Sequence, residues 1–140
     1  MKIEIKVAIY EDNDALRESL SFLVKGLELL HFTGAYPNCH NILENCESDM
    51  PDVILMDFEM SYLSGIDATR LVKDKYPDIN MMMLTVLEDR DKIFNSLRAG
   101  ATGYLLKKAS TIQIVEANSE LAKNRGSPIS SEIARKFLRK

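Results

Sequence analysis

The chain has 140 residues, about one domain's worth, with 18 Lys plus Arg against 21 Asp plus Glu and a formal net charge of −3. An apolar fraction of 46% suffices for one real core and is too rich for a disordered tail, while the acidic balance argues against a chain that coats nucleic acid over its whole surface. No apolar run approaches the roughly 20 residues of a membrane span, and the start, Met1-Lys2-Ile3-Glu4-Ile5-Lys6, has no signal-peptide core, so a soluble, cytoplasmic protein with no membrane partner is expected.

Two kinds of apolar pattern alternate along the chain. Val7-Ala8-Ile9-Tyr10 is a short unbroken run, as expected of a strand buried on both faces. Leu16, Leu20, Leu23 and Leu27 then repeat at helical spacing behind a cap at Asp12 or Asn13. His31 to Tyr36 is a weaker strand candidate, and Ile42 and Leu43 mark a short helix closed before Pro51. Val53-Ile54-Leu55-Met56 is the next strand, followed by a helix from Gly65 to Tyr76 that Pro77 stops. Met81-Met82-Met83-Leu84 leads to a helix carrying Ile93, Phe94 and Leu97, ended by Gly100. Tyr104-Leu105-Leu106 leads to a fifth helix carrying Ile112, Val115, Ser119 and Ala122. Strand and helix alternate five times, which predicts an α/β fold with a parallel sheet and helices on both faces.

Asn124-Arg125-Gly126-Ser127-Pro128 breaks the pattern. We therefore divide the chain into a domain at 1–124 and a linker at 125–140, in which Ser130 caps a short helix carrying Ile133, Ala134, Phe137 and Leu138. Charge divides at the same place: 13 basic and 20 acidic residues before it, a net of −7, and five basic and one acidic after it, a net of +4. Cys39 and Cys46 are read as lying in one helix two turns apart, about 10 Å, too far for a disulfide. With His40 they lack a fourth ligand at zinc-like spacing, so they read as ordinary helix residues rather than a metal site.

In an open parallel sheet, ligands bind at the carboxyl ends of the strands. Glu11 and Asp12 follow the first run, Asp57 the third, Thr85 the fourth and Lys107 the fifth. Singly, each is as well explained as a solvated loop or cap residue. Together they form one set: three acids that call for a cation, for which Mg²⁺ is the natural choice because it accepts one or two carboxylates and leaves room for phosphate. Asp57 is placed to attack a phosphoryl group as a carboxylate nucleophile, with Thr85 and Lys107 on the phosphoryl oxygens. Phosphoryl transfer asks mostly for such positioning and charge neutralisation.

These residues resemble the receiver domains of bacterial two-component response regulators. The matching stretches are Val7 to Asp12, Asp52 to Asp57 with Met60 and Gly65, Met83-Leu84-Thr85, and Gly100 to Lys108. The tail from Gly126 to Ala134 is similar to the linker of the NarL/FixJ (LuxR-type) subfamily, whose members usually continue into a helix-turn-helix DNA-binding domain. The resemblance implies a flavodoxin-like (βα)5 fold, sheet order 2-1-3-4-5. It implies phosphoryl acceptance by Asp57 from a sensor histidine kinase, with Mg²⁺ held by Asp12, Asp57 and the backbone carbonyl of Glu59, and Glu11 acting mainly through water. Thr85 and Lys107 would hold phosphoryl oxygens. Tyr104 would be an aromatic switch that turns inward when Thr85 moves, against the plainer reading of a strand aromatic filling core. The implied partners are the kinase, a second copy of the chain on activation, and DNA only through an output domain absent from this sequence. The protein would catalyse only its own phosphorylation and dephosphorylation.

The first helix is the kinase's expected docking face, and the stretch from Glu88 to Ala122 the output face, where Ile114, Ala117 and Leu121 add a second apolar line to the fifth helix. Two positions depart from the common pattern: Ser61 and Lys108 stand where many receivers have Pro. Val86 beside Thr85 is branched and is expected to slow attack by water on the aspartyl phosphate. Three other readings stay open: a pseudo-receiver that binds a partner without phosphorylation, a haloacid-dehalogenase-type phosphatase built on Asp57-Phe58-Glu59, and a flavodoxin-like cofactor binder. The complete acid, Thr and Lys set argues against the first, the position of Asp57 on the third strand against the second, and the acidic edge without a Gly-rich loop against the third.

Overall fold

A computed structural model of the protein describes residues 5–27, 30–58, 60, 63–85 and 90–106. Its elements are β1 (Ile5–Tyr10), α1 (Asp14–Lys25), β2 (Leu30–Tyr36), α2 (Ile42–Asp49), β3 (Val53–Asp57), α3 (Gly65–Lys75), β4 (Asn80–Thr85), α4 (Arg90–Arg98) and β5 (Gly103–Leu106). The strands form one parallel five-stranded sheet in the order β2-β1-β3-β4-β5. This is the flavodoxin-like arrangement. The expected fifth helix and the linker at 125–140 lie outside the described residues. Among the described residues no helix is long and apolar enough to cross a membrane.

The unbroken apolar runs became the central strands because both faces of the sheet are covered. Val53 to Met56 and Met81 to Leu84 are all fully buried, and each such side chain contributes roughly 1.5–3 kcal/mol on leaving water. One face is set by contacts: Asn45 of α2 donates to the Tyr10 hydroxyl at 3.3 Å, and Thr69 of α3 lies 3.4 Å from the Met83 sulfur. Tyr10, Met56, Met83 and Tyr104 are in register across the sheet, so they share that face. The chain moves from β1 to β2 in one direction and from β2 onward in the other. Right-handed crossovers therefore put α1 on the opposite face from α2, α3 and α4.

The weaker β2 signal has a local cause. It is an edge strand, mostly half-buried, and its pairing with β1 slips between Val7 and Ala8, leaving Thr33 as an extra residue. The Thr33 hydroxyl donates to the Val7 carbonyl at 3.2 Å, which anchors the bulge.

Helix ends follow their chemistry. Asn13, not Asp12, caps α1, its side chain accepting from the Leu16 amide at 2.9 Å. Ser64 caps α3 through the Asp67 amide at 3.1 Å. One expectation is corrected: Cys39 and Cys46 do not share a helix. α2 begins at Ile42, and Cys39 lies in the turn before it, where the Asn38 side chain accepts from the His40 amide at 2.9 Å. That Asx turn competes with helix formation. Both cysteines are free, buried thiols.

Candidate functional site

The site lies at the carboxyl edge of the sheet, where β1, β3 and β4 end. Tyr10 pairs with Met56, and Asp57 with Leu84, so Glu11 follows β1 one step beyond that pair, level with Asp57. Oxygens of Glu11, Asp12 and Asp57 all lie within 4.8 Å of one another. Glu11 and Asp57 are buried, and Asp12 faces solvent. Among the described residues this is the one group of three or more acid, His or Cys side chains able to share an ion. Cys39, His40 and Cys46 form no such group.

The donor set fits a hard divalent cation. Three carboxylates at this spacing repel by about 3 kcal/mol per pair at an effective dielectric of 20. A divalent ion removes that repulsion, and all-oxygen donors with one solvent-facing side are what Mg²⁺ takes.

The site is held by backbone contacts. The Glu11 amide donates to the Tyr36 carbonyl at 3.0 Å, and its carboxylate accepts from the Asn13 amide at 3.0 Å. Past Asp57, the Phe58 amide bonds the Leu84 carbonyl at 2.8 Å and the Gly65 amide bonds the Phe58 carbonyl at 3.0 Å. Gly65 is required where it stands. A Cβ there would collide with the Asp57 carbonyl oxygen and come within 2.8 Å of the Met83 methyl and 3.1 Å of the Phe58 Cα. The start of α3 thus rests directly on the end of β3. Lys92 of α4 sets its ammonium 5.2 Å above the Phe58 ring, a cation–π contact beside Asp57.

Under the site, the Cys39 sulfur lies 3.7 Å from that of Met56. Burial, aided by the charge of Asp57, pushes the Cys39 thiol up to about 12. Burial and then Asp49 push Cys46 up to about 11. Tyr10 is raised mainly by burial. These groups are neutral packing around the acids, not extra nucleophiles.

Glu11, Asp12 and Asp57 are therefore brought together. Thr85 closes β4 in register with Leu106, the residue before Lys107. Tyr104 is buried on β5 opposite Met83. The Glu59 carbonyl, Ser61, Val86, Lys107 and Lys108 lie outside the described residues. Sequence reasoning missed Arg17, whose guanidinium reaches the Glu11 carbonyl at 2.9 Å. A basic residue three positions after Asp14, on the helix turn facing the acids, was the available signal.

Comparison with known proteins agrees with this geometry. A family profile, the response regulator receiver domain, matches residues 7–119. The transcriptional regulatory protein LnrK of Bacillus subtilis is 35% identical over 113 residues, covering 81% of this chain and 51% of that protein. The response regulator GacA of Pseudomonas syringae is 32% identical over 81% of this chain and 53% of its own length. The chain thus spans about half the length of the curated relatives it matches. Among solved structures, a two-component response regulator of the LuxR family from Aurantimonas superposes with a TM-score of 0.84 at 19% identity, covering 97% of this chain and 96% of that one. The isolated receiver domain of RcsB from Salmonella enterica, with the phosphomimetic BeF3⁻, gives 0.80 at 18%, covering 94% and 97%. These two likenesses concern the fold. With a parallel 2-1-3-4-5 sheet, an acidic edge and a matching family profile over most of its length, the chain belongs to the response regulator receiver domain family.

Proposed function

We propose that the protein is a phosphorylation-controlled signalling switch whose acceptor is Asp57. The observation that carries this is the convergence of Glu11, Asp12 and Asp57 within 4.8 Å at the sheet edge, two of them buried. The N–P bond of a phosphohistidine on a sensor histidine kinase breaks as an oxygen of Asp57 bonds phosphorus, and the histidine leaves with its electron pair. Water later attacks the same phosphorus, the bond from phosphorus to the Asp57 oxygen breaks, and inorganic phosphate leaves the restored carboxylate. Asp12 and Asp57, with the Glu59 carbonyl, would hold Mg²⁺ directly, and Glu11 through water. When bound, the ion neutralises charge on the carboxylates and the transferring group. The chain's own contribution is to hold the Asp57 carboxylate in line and partly shielded from water, with Thr85 and Lys107 on the phosphoryl oxygens. The protein catalyses only its own phosphorylation and dephosphorylation.

The output step would run through Thr85 and Tyr104. A dianionic phosphoryl group attracts a hydroxyl and an ammonium, and the vacated space favours one ring position over another. Tyr104, which is buried on β5, would be the ring whose inward position the phosphoryl group favours in this scheme. Because curated relatives named as transcriptional regulatory proteins extend well beyond the half of their length that this chain matches, the switch would act in the cytoplasm on a DNA-binding output domain, through a homodimer formed on activation.

Incubation with Mg²⁺ and acetyl phosphate tests the reading. It predicts an acid-stable, base-labile adduct that is absent in Asp57→Ala. No adduct on the folded protein would instead support a phosphorylation-independent pseudo-receiver.

A further inference from the structure

We propose that Arg17 is a positioning residue for the acidic site, bracing the peptide that carries Asp12. The inference rests on the reading of Asp57 as a phosphoryl acceptor and extends it to a residue outside the acidic set.

The argument starts from the peptide bond. The carbonyl of Glu11 and the amide of Asp12 belong to one planar unit. Fixing the Glu11 oxygen therefore fixes the plane from which the Asp12 Cα and carboxylate project. That oxygen accepts from Nη1 of Arg17 at 2.9 Å. The residues on either side are held too: the Glu11 amide by the Tyr36 carbonyl, and the Asn13 amide by the Glu11 carboxylate. Asp12 itself faces solvent, so its aim at Asp57 depends on the neighbouring backbone rather than on packing of its own side chain.

The guanidinium is built in as a two-ended brace. Its other terminal nitrogen, Nη2, meets the Asp14 carboxylate at 2.6 Å. Arg17 is 21% exposed and Asp14 88% exposed, so one end is anchored toward solvent and the other reaches inward. An exposed ion pair of this kind contributes little to stability by itself. Its effect is to hold the planar fork at the angle that serves Glu11, which the single ammonium nitrogen of Lys cannot reproduce in full. The backbone of Arg17 joins the same unit, its amide donating to the Asn13 carbonyl at 2.9 Å. Strand end, turn and first helical turn thus form one closed set of bonds around Asp12.

A competing reading makes Arg17 only a counter-charge for the acids, and the two readings differ in sign. A counter-charge repels a divalent cation, so its removal tightens Mg²⁺ binding. A brace pre-orients the ligands, so its removal weakens binding.

The test titrates Mg²⁺ calorimetrically into the parent, Arg17→Met and Arg17→Lys, with hydrogen exchange of the Asn13 amide measured in metal-free protein. The brace predicts about tenfold weaker Mg²⁺ binding in Arg17→Met, typical of lost outer-sphere support. It predicts an intermediate loss in Arg17→Lys and faster exchange at Asn13 in both. Mg²⁺ binding equal to or tighter than the parent in either folded variant overturns it, and Arg17→Lys decides the question should Arg17→Met not fold. Acetyl phosphate labelling of the parent separates the two levels. A labelled parent with unaffected Arg17 variants refutes the brace alone, whereas an unlabelled parent refutes the acceptor reading.

Discussion

The same substitution, Gly→Ala, is expected to act with opposite sign at two positions of this chain. At Gly65 the added methyl meets the Asp57 carbonyl oxygen, the Met83 methyl at 2.8 Å and the Phe58 Cα at 3.1 Å. Carbon–carbon contacts settle at about 3.5–4.0 Å. The Met83 end can swing away, but Phe58 is backbone, so the segment after Asp57 must retreat by about half an ångström. Overpacking of this size costs about 1–3 kcal/mol, and a loss of about 2 kcal/mol lowers Tm by roughly 8 °C in a domain of this length. Because the displaced segment adjoins Asp57, phosphorylation by acetyl phosphate should slow by roughly tenfold. At Gly26, φ is −80° and the nearest atoms to a Cβ are carbonyl oxygens at 3.5 and 3.6 Å. That space is ordinary, so Gly26→Ala should stabilise by about 0.4–1 kcal/mol by restricting the unfolded chain, with the phosphorylation rate unchanged. Thermal and urea melts of the two variants, with labelling rates, make the comparison. Gly65→Ala melting at or above the parent temperature would refute the close-packing argument.

Three further outcomes follow from packing behind and beyond the site. The thiols should be inert in the native state: with Cys39 raised to about 12 and Cys46 to about 11, neither should react with a thiol reagent at pH 8 faster than the chain unfolds. Their folded values exceed the ordinary 9.0, so the stability they confer is complete below pH 9 and falls as pH rises toward 11–12. Urea melts across that range should show a shallower decline in Cys39→Ala/Cys46→Ala. Lys73 donates to the Pro77 and Ile79 carbonyls at 2.6 and 2.9 Å at the edge of the sheet opposite the acids. Lys73→Met should therefore cost about 1–2 kcal/mol in a denaturant melt and leave the labelling rate of Asp57 as in the parent.

How much was legible beforehand tracks how much of each feature is local. Val53 to Met56 and Met81 to Leu84 read as buried strands because a sheet covered on both faces admits apolar residues at every position. The acids read as a site because strand order brings the ends of β1 and β3 side by side. Cys39 was misplaced because the Asx turn at Asn38 competes with helix on grounds that apolar spacing does not register. Gly65 was noted as part of a motif, but its reason, the approach of α3 to the Asp57 carbonyl, is a tertiary contact. Arg17 went unnoticed because its partner is a backbone oxygen, which has no letter in a sequence. The slip at Thr33 is of the same kind.

The central claim, that Asp57 accepts a phosphoryl group in a cation-dependent reaction, is tested most directly by locating the adduct. The protein is incubated with acetyl phosphate with and without Mg²⁺, reduced with borohydride to trap acyl phosphates, and mapped by peptide mass spectrometry. The account predicts modification at Asp57 alone, lost on chelation and in Asp57→Asn. An adduct on Glu11 or Asp12 with Asp57 untouched, or equal labelling without the cation, would contradict it.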